Sequence, residues 1–459
     1  MKTSPNIGLI GFETYQASIF SANGLNICGH IYVGKPETAG TAGNRIVSFE
    51  TFKKFEFGNS CSVNGAETLD NERQEAFDLF VRCVDRWDWS KEMIHDWSDY
   101  QHLFSAALSN ASAWLEATKP EALVFSNVPH QGAIIVLFYV ARARGIATHV
   151  FLQSHFPGKS WAFDHWTDLG PFHNTRPNTN FEVDITPPKE QPFYMKSVRS
   201  EFSRSARAFA SGVRARAVVF FGLTGLNQIQ RRASFNRNIG RIKKEAENLN
   251  YFRKAKRFFS ADIDEIEGKD FVYFPFHLQP EMTTDVLGGA FSDQALALEK
   301  LCRVVPENIA IVVKENPKQR SQMRSEAFFD RLSRIPNLIA VHRNTSSFEL
   351  INKAKCVATV TGTAGWEALR MGKPVICFGH IYWNSLPGVF RYQDSLTWKE
   401  LSSFQFDSGK LQISANQLGR FCYDGDVDKV YSQNREGFDP KQNAKALAQS
   451  IKHMTDHTK

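Results

Sequence analysis

Cysteine is sparse and scattered in this 459-residue sequence: Cys28, Cys61, Cys83, Cys302, Cys356, Cys377 and Cys422. No CxxC pair or zinc spacing occurs among them, which excludes a disulfide scaffold or zinc ribbon and predicts reduced thiols in a cytoplasmic protein. Long apolar runs are also missing. The most apolar stretches, Gly132 to Ala141 and Val218 to Leu223, fall far short of the roughly 18 to 20 residues that cross a bilayer. The segment Met1 to Gly11 lacks an apolar core followed by small residues, so no secretory signal is expected. Neither a GxxxxGK[ST] loop nor an early GxGxxG is present, which argues against an ATPase or a dehydrogenase.

What is present reads as a folded, globular chain of two or three domains, 42% hydrophobic and 22% charged. Its net charge of +7 is unevenly placed. From Lys196 to Arg257 there are sixteen Lys or Arg against three acids, a local +13 that leaves −6 for the rest. Arg204, Arg207, Arg214, Arg216, Arg231 and Arg232 flank the apolar Val218 to Leu223. One reading is a helix lying on an anionic membrane surface; the other is a solvated or interdomain face. No nucleic-acid motif accompanies the basic residues, so no nucleic-acid partner is expected.

Strand-like runs at Ile7 to Phe12, Ile27 to Val33, Arg45 to Phe52, Ala122 to Asn127 and Thr148 to Leu152, with helical spacing at Glu67 to Thr118 and Gly132 to Arg144, predict an N-terminal α/β unit. Gln153 to Gln191 has no period and reads as a long functional loop. From Asp270 the alternation is clearest. Strands are predicted at Phe271 to Pro275, Ile309 to Lys314, Leu338 to His342, Cys356 to Val360 and Pro374 to Phe378, with helices between them. That is a doubly wound parallel sheet. The expected division is 1–192 for an N-terminal α/β domain, 193–268 for a basic helical insertion, 269–400 for a C-terminal Rossmann-like domain and 401–459 for a tail with a closing helix.

Three turns after strands of the second sheet carry the candidate chemistry. Thr361-Gly362-Thr363-Ala364-Gly365-Trp366-Glu367 reads as a phosphate cradle at a helix N-terminus, or as a plain strand-to-helix turn with a threonine cap. Lys314 in Val313-Lys314-Glu315-Asn316-Pro317 supplies positive charge for a phosphate. Phe274-Pro275-Phe276-His277-Leu278-Gln279-Pro280-Glu281 sets His277, Gln279 and Glu281 on one turn. His130 beside Pro129 is a candidate base or hydrogen-bond partner, with His155 and His165 as weaker ones. Asp262-Ile263-Asp264 and Asp424 to Asp428 match metal loops only superficially. Trp87, Trp89 and Trp97 read as packing residues.

The ordered set FPFHLQPE, Asp293-Gln294, VKENP, Ser346-Ser347 and TGTAGWEALRMGKPVICFG resembles the capsule polysaccharide biosynthesis family, which includes retaining β-Kdo transferases. The resemblance implies a GT-B-like fold, two Rossmann-like domains facing across a cleft. It implies a glycosyltransferase of bacterial surface polysaccharide, in capsule or lipopolysaccharide, passing a sugar from its nucleotide-activated form, CMP-Kdo or a related CMP-nonulosonate, to a glycan or glycolipid. No cofactor or obligatory metal is expected, and peripheral contact with the inner membrane face would suit a lipid-linked acceptor. On this carry-over His277, Gln279, Lys314, Asn316, Ser346, Ser347, Thr361, Gly362, Thr363, Gly365 and Glu367 hold the donor, and Glu281 joins the catalytic set. Two departures stand out. Asn316 replaces the family's His, and Gln153-Ser154-His155 stands where an acidic loop belongs. A retaining double displacement needs a carboxylate, so Asp164, or Asp168 on the same loop, becomes the candidate nucleophile. The alternatives are a UDP- or GDP-sugar enzyme, a nucleotide-sugar epimerase, or a non-catalytic polyanion binder.

Overall fold

The computed structural model describes residues 4–34, 45–54, 69, 72–84, 94, 96–172, 180–188, 206–211 and 228–456. In the N-terminal half, β1 (Asn6–Glu13), β2 (Asn26–Val33), β3 (Ile46–Ser48), β4 (Ala122–Phe125), β5 (Ala147–Gln153) and β6 (Lys159–Phe163) alternate with α1 (Thr14–Ala22), α2 (Phe49–Lys53), α3 (Arg73–Val84), α4 (Trp97–Thr118) and α5 (Gly132–Ala143). After α6 (Gln228–Phe258), the second half contains β7 (Phe271–Pro275), α7 (Met282–Asp285), α8 (Gln294–Val304), β8 (Ala310–Lys314), α9 (Glu326–Ser333) and β9 (Leu338–Val341). It continues through α10 (Ser347–Lys353), β10 (Cys356–Thr359), α11 (Thr363–Arg370), β11 (Val375–Cys377) and β12 (Val389–Arg391). The chain then runs through α12 (Trp398–Ser402), α13 (Ser408–Gly419), β13 (Cys422–Asp424), α14 (Lys429–Gln433) and α15 (Pro440–Thr455).

Two sheets result, ordered β13-β6-β5-β4-β1-β2-β3 and β12-β11-β10-β7-β8-β9. The second is wholly parallel, and in the first only β6 is reversed, pairing antiparallel with β5 and β13. The chain is thus α/β, with two Rossmann-like halves. Side chains on a strand alternate between the faces of its sheet. Accordingly Ile7 and Leu9 of β1 pack with Phe20 of α1 and with Leu447 and Ile451 of α15, while Ile10 joins Trp114 of α4 and Phe138 of α5 on the other side. In β7, Val272 and Phe274 face α8 and α9, whereas Phe271 and Tyr273 share a cluster with Leu350 of α10 and Leu369 of α11. Both faces are covered, so these strands read as continuous apolar runs.

The structure corrects four expectations. Arg45 to Phe52 is a strand only over Ile46–Ser48 and then turns into α2, where the Ser48 hydroxyl accepts from the Thr51 N–H. The expected long loop contains β6, which folds back antiparallel on β5 with Val150 opposite Phe163 and Gln153 opposite Ser160. A sixth strand, β12, was too short and too exposed to read as one. The division also moves. Tyr251, Phe252 and Ala255 of α6 lie in the second half's core with Phe328 and Phe329, although the insertion was expected to run to 268. The tail meanwhile completes the first half: β13 pairs with β6 and α15 packs on α1.

Part of the basic segment, including Arg204, Arg214, Arg216 and Val218 to Leu223, lies outside the described residues, as do Trp87 and Trp89. Trp97, 59% exposed at the start of α4, packs edge-on against Phe77 outside the core. No described helix is long and apolar enough to cross a membrane.

The halves touch along one side. Trp161 of β6 stacks on Tyr382 at 4.9 Å, Phe156 meets Trp366 of α11, and Ser385 Oγ donates to the Gly170 carbonyl at 2.9 Å. Arg82 of α3 reaches the Gly289 carbonyl at 2.9 Å.

Candidate functional site

Parallel strands deliver their following loops to one rim of the sheet. At the rim of the second sheet, the turn after β7, the end of β8, the start of α10 and the turn after β10 meet, which places most of the predicted donor residues together.

Lys314, the last residue of β8, is buried. Its ammonium donates to the Thr345 carbonyl at 3.0 Å and to Ser347 Oγ, which also accepts from the Tyr273 hydroxyl at 3.3 Å. Burial, opposed by the charge of Glu367, pushes the Lys314 pKa down to about 8. Glu367 lies one turn into α11. Burial raises its carboxyl above the usual range, while the Thr363 hydroxyl, Arg370 and Lys314 oppose that shift. Lys314, Ser347, Thr363 and Glu367 therefore form one charged group at the rim. Ser346 is the N-cap of α10, its Oγ accepting from the Glu349 N–H.

No side chain caps α11: its N-cap is Gly362. Thr361 Oγ1 is committed to the Thr283 carbonyl at 2.6 Å, so neither threonine plays the capping role weighed from the sequence. The helix end keeps its partial positive charge at the rim. The two glycines serve packing as well. A Cβ on Gly362 would lie 2.9 Å from the His277 ring, and one on Gly365 would lie 2.4 Å from the Trp383 ring. The place a side chain would take at each is filled by protein.

His277 and Gln279 differ from expectation too. His277 Nε2 accepts from the Val360 N–H at 3.2 Å and meets Thr359 Oγ1 at 2.9 Å, tying β7 to β10. Burial, with the Arg324 charge beside it, lowers its pKa to about 4. It is a neutral strut. The Gln279 amide donates to the Ser292 carbonyl and Asp285, and its oxygen accepts from Gln294 and Arg324. These contacts hold Gln279 inside the protein rather than toward a ligand. Asn316 Oδ1 accepts from the Lys318 N–H, shaping the turn after β8. Glu281 is the partly exposed N-cap of α7 at the same rim.

Sequence reasoning missed the hub behind these turns. Arg324 grips both oxygens of Glu315 at 2.9 and 3.2 Å and donates to the His277 carbonyl and Gln279. The Tyr251 hydroxyl of α6 also bonds Glu315 at 3.1 Å. The pair's side chains are 0% and 1% exposed. Glu315 lies inside a recognised motif, but nothing in the polar stretch around Arg324 marks it as its partner.

On the N-terminal side, His130 is at the rim of β4, directly before α5. Its Nδ1 lies 2.6 Å from the Val128 carbonyl. A carbonyl only accepts, so Nδ1 carries the proton and the lone pair of the neutral ring is on Nε2. Asp164 is misplaced for the nucleophile's role. Antiparallel β6 carries it back beside His149, whose Nδ1 it meets at 2.9 Å, four residues and roughly 13 Å behind Gln153 at the strand's end. Asp168 is buried in the turn Trp166–Asp168. Gln153 itself accepts from the Val427 and Asp428 N–H groups of the tail. His155 is exposed, its Nδ1 3.3 Å from the Tyr382 hydroxyl, and the half-buried His165 has its pKa lowered by burial to about 3. The acidic loops have structural roles: Asp262 is the N-cap of the turn Ile263–Ile266, Asp424 pairs with Lys159, Asp426 with Arg435, and Asp428 caps α14.

Residues 241–404 match the family described as capsule polysaccharide biosynthesis protein. The resemblance to that family holds. The capsule-family segment takes in the last turns of α6, the rim residues of the second sheet and the Glu315–Arg324 hub. No curated protein matches the chain. Among solved structures, it is similar to KpsC, a beta Kdo 2,7 transferase of Thermosulfurimonas dismutans, at 10% identity over 98% of this chain and 99% of that one, with a TM-score of 0.31. It is also similar to the UDP-GlcNAc 2-epimerase of Methanocaldococcus jannaschii, at 9% identity over 98% and 99%, with a TM-score of 0.27. At such scores the overlays add nothing to the strand order given above.

Proposed function

We propose that the protein is a glycosyltransferase of surface-polysaccharide assembly that binds a nucleotide-activated sugar at the rim of the second sheet. The reading rests on Lys314: a buried ammonium interacts with the charge of Glu367 in the side-chain-uncapped helix α11, within a segment that matches the capsule family. A phosphate there would meet a full positive charge and a helix end together, the two features that stabilise a departing nucleotide. Glu367, with its raised carboxyl, and Glu281 are the carboxylates assigned to the donor sugar, now that Asp164 is removed from the role. His130, through Nε2, is assigned to the acceptor hydroxyl.

The donor in this reading is a CMP-activated 3-deoxy-octulosonate or related nonulosonate, passed to a glycan or glycolipid without an obligatory metal. Thermal-shift and calorimetric titration with CMP, UDP and GDP tests it. CMP is expected to stabilise the wild type, with affinity falling about 10-fold or more in Lys314→Ala. Stabilisation by UDP or GDP alone overturns the donor, and turnover of a nucleotide sugar without any acceptor overturns the transferase in favour of an epimerase.

A further inference from the structure

A cavity of about 660 Å³ lies where the segment 182–187 crosses the last turn of α11 and the start of α13, with Glu182, Asp184, Arg370, Phe406, Ser408 and Gln412 in its wall. We propose that this cavity is a glycan subsite taking one uncharged pyranose unit of the acceptor; the acceptor role rests on the donor reading above, but binding itself does not.

The wall is built rather than incidental. The Val183 N–H donates to Asn416 Oδ1 at 2.9 Å, and Gln412 donates to the Val183 carbonyl at 2.8 Å and to Asn416 at 2.9 Å, fixing the crossing segment to α13. Arg370 is half-buried in the wall: its Nε is buried with no hydrogen-bond partner, and its guanidinium lies 5.7 Å from the Trp366 ring centre. Among the described residues no carboxylate is within ion-pair distance of it. Asp184 spends one carboxylate oxygen on Thr186. Phe406 lies against Gly372, leaving its ring 40% exposed.

Such a wall matches a pyranose. A sugar ring offers an apolar C–H face to Phe406 and hydroxyls that donate to the carboxylates and accept from the guanidinium, in a cavity of ordinary ligand size. Two acids against one Arg leave the lining at −1, which disfavours a polyanion. Position supports the link to the donor. Thr363, Glu367 and Arg370 follow the i, i+4, i+7 spacing of one helix face, so the cavity is about 10 Å along α11 from its N-terminus.

Saturation-transfer difference NMR on the full chain without nucleotide tests this, using methyl gluco-, galacto-, manno- and rhamnopyranosides and the matching uronosides. At least one uncharged glycoside is expected to receive saturation, and to lose most of it in Phe406→Ala and in Arg370→Gln at unchanged Tm. Lys314→Ala is expected to keep this signal while losing the CMP response, which separates failure of the subsite from failure of the donor reading. Signals confined to uronosides, signals indifferent to both wall variants, or no signal from any glycoside overturn the subsite.

Discussion

Lys314 is where burial and charge are most directly opposed. Its pKa of about 8, against 10.5 for a free side chain, is a consequence of burial. In the ligand-free protein the ammonium is lost as pH rises through about 8, so CMP affinity is expected to hold below pH 7 and weaken by up to tenfold per unit above 8. The stability effect has the opposite sign. Between about 8 and 10.5 the unfolded chain holds the proton more tightly, so this residue makes stability rise with pH there. Calorimetry from pH 6.5 to 9.5 measures the affinity, with Lys314→Arg as a non-titrating control; a level wild-type profile refutes the assignment. Lys314 was legible because a cation ending an apolar strand stands out. Asp164 was misread because nothing in the sequence says that β6 runs backwards, and Gln279 because its partners, Gln294 and Arg324, are brought to it only by folding.

The second sheet was legible nearly strand by strand because its strands are buried on both faces. Exposure hid β12, and its place among aromatic and glycine-rich residues hid β6. What the pattern could not show is how the turns are braced. The Glu315–Arg324 pair ties the turn after β8 to the His277 and Gln279 turn and, through Tyr251, to α6. Removing one charge from such a buried pair costs about 3 to 5 kcal/mol; Glu315→Gln is expected to lose that much in urea denaturation. Gly365→Ala presses a methyl into Trp383, and overpacking of this kind costs about 1 to 3 kcal/mol. A lowered Tm with weakened CMP binding is the expected result, since α11 must move to relieve the clash; an unchanged Tm would show that Trp383 yields instead.

At the scale of the whole molecule, buried or half-buried histidines with lowered pKa values occur in both halves. Burial lowers His30 and His277 to about 4 and the half-buried His165 to about 3. A folded pKa below the free value of 6.5 means that the unfolded chain takes up the proton first. The stability these groups contribute is complete above about pH 6.5 and is lost as pH falls toward 4, at about 1.4 kcal/mol per pK unit for each. Urea midpoints measured at pH 7.5, 5.5 and 4.5 are expected to fall steeply over the last interval, and a level series would contradict the burial of these rings.

The return of β13 and α15 to the first sheet has a consequence for synthesis. A ribosome releases the strands β1 to β6 long before Ile451 exists, so the apolar flank of β1 and the open edge of β6 must wait, uncovered, while the whole second half is made. That second half needs nothing downstream of β12 to close its own sheet and can settle while still tethered. The first-made half of this protein is therefore the last to be finished, and a nascent chain stalled before Cys422 would expose the surfaces that invite aggregation.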